Sequence, residues 1–297
     1  MRLTAVVEDY LLAWILLAVG LGVAVPRIAA VTRYSTAILA VMIGSISLTL
    51  TVEQFRAIRP RTLGVVLLGH AAMPFLAAGL AGALGLPPAL AIGFVVLGAV
   101  TPELVTPVMT ELAGGNTALS TVALVVTGVG SVAFVPAVVS VLGGGVAVAT
   151  GLIVEQLVVA VVAPMVLAVA LRAWQPARVG RYDAFYPAVS AAMVVVIIGG
   201  VTAANAAVIR AGETLVPVVA GVVALNALGY ALGWTGSVGF PRADRIASVL
   251  SVGMRDFAVA AALIVAAGLP AVASLPAVVF GVVEMSSSAA LARYFRR

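Results

Sequence analysis

The chain has 297 residues, of which 63% are hydrophobic and only 9% charged, with 16 basic against 11 acidic side chains and a mean hydropathy of +1.24. A soluble domain carries roughly 25% charged residues, and no water-soluble fold could hide this much apolar surface. Cysteine is absent, which excludes disulfides, thiolate metal sites and cysteine nucleophiles; the basic residues are all arginine and sit in short loops rather than in a patch, so the bilayer and not nucleic acid is the expected partner.

Apolar runs of about 18 residues, enough to cross a hydrocarbon core as a helix, recur along the whole sequence, which reads as a single membrane domain over 1–297. The first follows Glu8 and Asp9, is long and has no small-residue cleavage site after it, so it is a helix rather than a signal peptide. Turn and charge signals place ten helices near 10–25, 34–52, 62–84, 88–113, 116–142, 148–173, 184–208, 213–235, 242–268 and 271–292. Tyr10, Tyr34, Trp174, Tyr186, Trp234 and Tyr294 fall near the ends of these runs, where amphipathic rings favour the interface.

Alternate loops differ in charge. Twelve arginines (Arg2, Arg56, Arg59, Arg61, Arg172, Arg178, Arg181, Arg242, Arg245, Arg293, Arg296 and Arg297) fall on one side and three (Arg27, Arg33 and Arg210) on the other. Retention of positive charge in the cytoplasm then puts both termini inside, with short outer loops near 85–87, 143–147 and 269–270. Ten helices divide into two fives, roughly 1–145 and 146–297, and an odd-numbered unit inserts its second copy upside down. In each half the fourth helix is irregular: Thr101-Pro102-Glu103 and Thr106-Pro107 interrupt one, and Ser251-Val252-Gly253-Met254-Arg255-Asp256 the other. Corresponding interrupted helices are the best sequence pointer to a transport site.

Ionisable residues at membrane depth cost roughly 2.5–3.5 kcal/mol on insertion scales, so His70, Glu103, Arg255, Asp256 and Glu284 are the candidate site residues, with Glu155 expected to be solvated. Thr101-Pro102-Glu103 also fits a helix start, with threonine as cap, proline in the first turn and glutamate at the positive end. Ser120, Thr127 and Ser131 share one helix face, where hydroxyls either bond neighbouring backbone or line a site. His70, ahead of Met73-Pro74, reads as a neutral interhelical bond or a proton relay. Asn205 and Asn226 read as interhelical bonds.

The stretch 108–120 (VMTELAGGNTALS) resembles the fourth-to-fifth helix signature of the bile acid:sodium symporter family, and Ser251-Val252-Gly253-Met254 resembles its second crossover helix. Leu48-Thr49-Leu50-Thr51 and Met73-Pro74 follow the same order. The resemblance implies ten helices in a panel and a core, two unwound helices crossing in the core, and sodium coupled to organic anions such as bile acids. Several ion-site positions depart: the serine-asparagine pair reads Thr106-Pro107, the acidic and glutamine positions read Ser251 and Arg255, and a threonine on the fifth helix reads Leu124. Thr106, Ser120 and Ser251 would remain for sodium. A sister group of arsenite carriers is similar at Arg255-Asp256-Phe257 and at Glu284, but its thiol position falls near Glu103.

These observations predict an alternating-access transporter of a small organic anion with no cofactor, whose sodium coupling is weak or absent and whose coupling ion is otherwise a proton. Glu103, Arg255 and Asp256 are expected at its polar centre, Arg255 standing where the family binds a sodium ion, neutralised by Glu103 or Asp256 until an anion competes for its fork. An arsenite-type carrier or proton antiporter is the alternative within the superfamily. An intramembrane enzyme or sensor is the alternative outside it, but there is one histidine, no HExxH, and Asp183 and Asp256 are far apart in topology.

Overall fold

The computed structural model describes residues 10–50, 59–143, 146, 148–212 and 214–296. Arg2, Glu8, Asp9, Thr51, Arg56, Arg297 and three positions of the outer loop near 143–147 lie outside the described residues. In chain order the elements are α1 (Leu11–Ala24), a 3-10 run over Pro26–Tyr34 leading into α2 (Ser35–Ser47), α3 (Pro60–Ala83), α4 (Pro88–Ala99), α5 (Thr106–Leu112), α6 (Thr117–Leu142), α7 (Thr150–Leu157), a π turn over Val158–Val162, α8 (Ala163–Trp174), α9 (Pro176–Gly180), α10 (Tyr186–Ala204), α11 (Ala206–Ala211), α12 (Leu215–Gly236), α13 (Arg242–Gly253), α14 (Phe257–Ala266), a 3-10 turn over Ala271–Ser274, and α15 (Leu275–Arg296).

Every regular element among the described residues is helical, and eight segments are long and apolar enough to cross a bilayer. The other two predicted crossings correspond to shorter apolar helices, α1 and α4. Pro60, Pro88 and Pro176 open their helices, where a missing amide hydrogen costs nothing. Asn116 caps α6 by accepting from the Leu119 amide (3.1 Å).

Three predicted helices differ in detail. The second begins earlier, as the 3-10 run from Pro26, and ends at Ser47. The sixth carries a π turn directly before Pro164, whose ring displaces the carbonyl four residues back and widens the helix. The seventh ends at Ala204, and Asn205 joins it to the short α11.

The helices pack in two groups. In one, α10 lies against α1, the Pro26–Tyr34 run and α2, and α2 lies against α8. In the other, α12 packs on α13, α3 and α15, while α4 packs on α3 and α6. α14 touches both groups, through α4 and α15 on one side and α2 and α10 on the other. The segment Arg242–Ala266 that contains it is the most enclosed crossing, with 89% of its apolar window buried against 33% for Pro60–Ala83. Small residues permit these approaches: a Cβ on Gly22 would stand 2.7 Å from the Gly199 carbonyl oxygen, and one on Gly229 2.8 Å from the Gly253 Cα.

Candidate functional site

Both irregular segments are true breaks. Pro102 removes an amide and disfavours helical backbone at Thr101, so α4 stops at Ala99, Val100 is extended (ψ 164°), and α5 starts at Thr106 with Pro107 in its first turn. The reading of Thr101 as a helix cap is thereby corrected: four residues of non-helical chain follow it, and the cap position is Val105, with no side-chain bond. α13 stops at Gly253, Met254 is extended, and Asp256 caps α14 through Oδ1, which accepts from the Val259 amide (2.8 Å).

The two breaks touch. The Asp256 amide donates to the Thr101 carbonyl (2.9 Å), joining segments 155 residues apart. Arg255 has no exposed surface, and its guanidinium donates to the Val252 carbonyl (2.8 Å), the Val100 carbonyl (3.2 Å) and His70 Nδ1. Both carbonyls lie at C-terminal ends, of α13 and of α4, so one cation serves the negative ends of two half-helices at once. Arginine can only donate, which leaves His70 Nδ1 as acceptor and its proton on Nε2.

The expected carboxylate counterion of Arg255 is missing. The ion pair among the described residues joins Arg172 to Asp183, far along the chain from the breaks. Backbone carbonyls and the imidazole have taken the guanidinium instead. Glu284 meets Arg255 through the main chain, Oε2 accepting from the Arg255 amide (3.2 Å). Asp256 and Glu284 are the charges that act on Glu103, so three buried carboxylates share this region. One oxygen of each lacks a partner, as do the buried hydroxyls of Thr106 and Ser251. Among the described residues, no three His, Cys, Asp or Glu side chains are grouped to hold a metal ion.

Other candidates separate by geometry. Ser120 bonds across to Thr110 (2.8 Å between hydroxyl oxygens), whereas Thr127 and Ser131 bond back to their own helix at Ala123 and Gly128 (2.7 Å each). Asn205 reaches Ser274 (3.0 Å), and Asn226 donates to the Gly253 carbonyl (3.2 Å) while accepting from Ser287 (2.8 Å). Glu155 is exposed. Sequence reasoning missed the buried Asp244, which accepts from Asn116 Nδ2 (2.8 Å) and faces Thr62 at 3.5 Å. The cap signal of Asn116 before Thr117 was readable; Thr110 as the partner of Ser120 carried none.

Two cavities flank the first break and share Ile46, Leu104 and Val108 in their walls. The smaller, about 210 Å³, is bounded by α2, α6 and the π turn and carries Thr101, Glu111 and Thr121. The larger, about 340 Å³, lies among α1, α2, α5, α10 and α15 and carries Glu103, Met109, Ser190 and Met285. Arg255 lines neither.

Residues 36–211 match the family model described as the sodium bile acid symporter family. The chain belongs to that family. It is also 26% identical over 294 residues to the uncharacterized sodium-dependent transporter YocS of Bacillus subtilis (strain 168), a match covering 96% of this chain and 90% of the relative. Family membership and the membrane-length helices make this chain a multi-pass membrane transporter.

Proposed function

We propose that the chain is a secondary active transporter that moves a small organic solute by alternating access, coupled to protons. Ten crossings in two inverted five-helix repeats, with both termini cytoplasmic, form its frame; the fourth and ninth crossings are the broken pair α4–α5 and α13–α14. The observation that carries this reading is the contact of the two breaks around a fully buried guanidinium, beside three buried carboxylates none of which pairs with it. A helix break at membrane depth leaves backbone groups that only protein, water or ligand can satisfy. Here each break satisfies part of the other, so a change at one is felt at both.

Charge balance supports the proton. Three carboxylates against one guanidinium leave a buried excess of negative charge, which is costly unless a cation neutralises it. Sodium is the second reading, favoured by the free hydroxyls of Thr106 and Ser251 and by the name of the Bacillus relative. Of the three residues left for sodium by sequence, Ser120 is already engaged by Thr110.

Reconstitution tests the proposal. Purified protein in liposomes should accumulate organic solutes from a charged and neutral panel above the level of protein-free vesicles when a proton gradient is imposed. No accumulation of any member, under either a proton or a sodium gradient, would overturn the transporter reading for this chain.

A further inference from the structure

A groove on the outer surface of the helices combines aromatic walls with unpaired positive charge. It lies where α12, α13 and α15 meet, holds about 400 Å³, and is walled by Tyr230 and Trp234 of α12, Val249 of α13 and Leu291, Tyr294 and Phe295 of α15. Trp234 and Tyr294 are 42% and 71% exposed, and α12 is among the least enclosed crossings, so this face meets lipid. Arginine surrounds it. The Arg245 guanidinium carbon stands 3.7 Å from the centroid of the Trp234 ring, Arg242 donates to the Phe295 carbonyl, and the exposed Arg293 and Arg296 flank Tyr294 and Phe295 in the last turn of α15. Among the described residues no acidic side chain lines the groove and no carboxylate pairs with Arg245, whose Nε is buried without a hydrogen-bond partner. The carboxylate next to it in the chain, Asp244, is turned to Asn116 and Thr62 instead.

We propose that this groove binds an anionic phospholipid, with an acyl chain along Tyr230, Val249 and Leu291 and the phosphate on Arg245, Arg293 and Arg296. A guanidinium offers phosphate oxygens paired donors in a rigid fork, and the indole face beside Arg245 supports its charge where water is partly excluded. Tryptophan and tyrosine favour the headgroup level, and basic pockets between crossing helices on the cytoplasmic side, where the proposed orientation puts this end, take anionic headgroups. Aromatic rings alone would accept any lipid; the unpaired arginine makes the groove selective for net negative charge. The groove also reaches the second break. The Tyr230 ring fills the space that a Cβ on Gly253 would need, and its hydroxyl meets Ser287 (3.1 Å), which donates to Asn226 (2.8 Å), whose amide donates to the Gly253 carbonyl (3.2 Å). A chain lying on Tyr230 holds that ring against the end of α13, so a bound lipid braces the second break from outside.

Two lipids with the same acyl chains and different headgroup charge test this. Delipidated full-length protein in neutral detergent is titrated with phosphatidylglycerol or phosphatidylcholine, bound lipid is counted by native mass spectrometry, and melting is followed in parallel. Phosphatidylglycerol should bind saturably, more tightly than phosphatidylcholine, and raise the melting temperature. Arg245→Gln should weaken phosphatidylglycerol about fivefold, the factor that one arginine contributes near an anionic surface, and leave phosphatidylcholine unchanged. Arg293→Gln combined with Arg296→Gln, both at exposed positions and so neutral for folding, should weaken it by about five- to twentyfold. Arg178→Gln, exposed on α9, which packs on α8, should change neither lipid. Equal binding of the two lipids, or a preference for phosphatidylglycerol that survives in both groove variants, would overturn the proposal. Delipidated protein that is dimeric, and that Tyr294→Arg makes monomeric on size-exclusion chromatography, would give the groove to a second copy and overturn it too.

Discussion

Replacing Arg255 with glutamine is the perturbation that the structure makes most quantitative. The side chain is fully buried and donates to three acceptors, the carbonyls of Val100 and Val252 and the Nδ1 of His70. A glutamine side chain is two bonds shorter and carries a single amide nitrogen in place of the guanidinium fork, so it reaches one of these three acceptors. Each buried acceptor left unpaired costs about 1–3 kcal/mol, so two orphaned acceptors cost about 2–6 kcal/mol. At about 2–4 °C per kcal/mol for a chain of a few hundred residues, the melting temperature in detergent should fall by about 10 °C. Arg255→Lys should fall between glutamine and the parent, because an ammonium is a point charge that cannot span both half-helix ends with a rigid fork. Melting of Arg255→Gln within about 2 °C of the parent would refute the claim that this guanidinium ties the two breaks together.

Asn116→Ala removes the cap of α6 and the bond to Asp244, and should cost about 1–3 kcal/mol by chemical or thermal unfolding, with strong non-additivity against Asp244→Asn in a double-mutant cycle. Gly253→Val should abolish folded protein, since the Tyr230 ring occupies the space of a Cβ there, and Tyr230→Ala in the same chain should restore part of the yield on size-exclusion chromatography. Thr127→Ala should change melting by less than about 1 kcal/mol, as its hydroxyl bonds only to its own helix. Single cysteines placed in this cysteine-free chain report topology: a cysteine at position 296 should resist impermeant maleimide added to intact cells, and labelling there would reverse the proposed orientation.

The two breaks were legible because proline and the Val-Gly-Met-Arg-Asp run punctuate otherwise apolar helices, and punctuation is a local signal. Asp256 as a cap was readable for the same reason, since a short side chain just before an apolar run has one nearby amide end to serve. The partners of Arg255 were not. Pairing it with Glu103 or Asp256 assumed that opposite charges in adjacent segments meet, whereas the backbone at the breaks offers its own acceptors, and orphan carbonyls at two half-helix ends outcompete a carboxylate that lies on the cavity side. The cap assigned to Thr101 failed because a proline in the first turn was read at Pro102 when Pro107 fills that role. The cavities depend on how α1, α2 and α10 stand against the breaks, and periodicity in single helices does not contain that.

The coupling ion tests the account most directly. Proteoliposomes holding the purified protein are given the charged and neutral solute panel outside, with either a proton gradient at fixed sodium or a sodium gradient at fixed pH, and uptake is measured against protein-free vesicles and Glu103→Gln. Accumulation driven by the proton gradient, indifferent to replacing sodium with potassium and lost in Glu103→Gln, is the predicted result. Accumulation that requires sodium and survives in Glu103→Gln would contradict it.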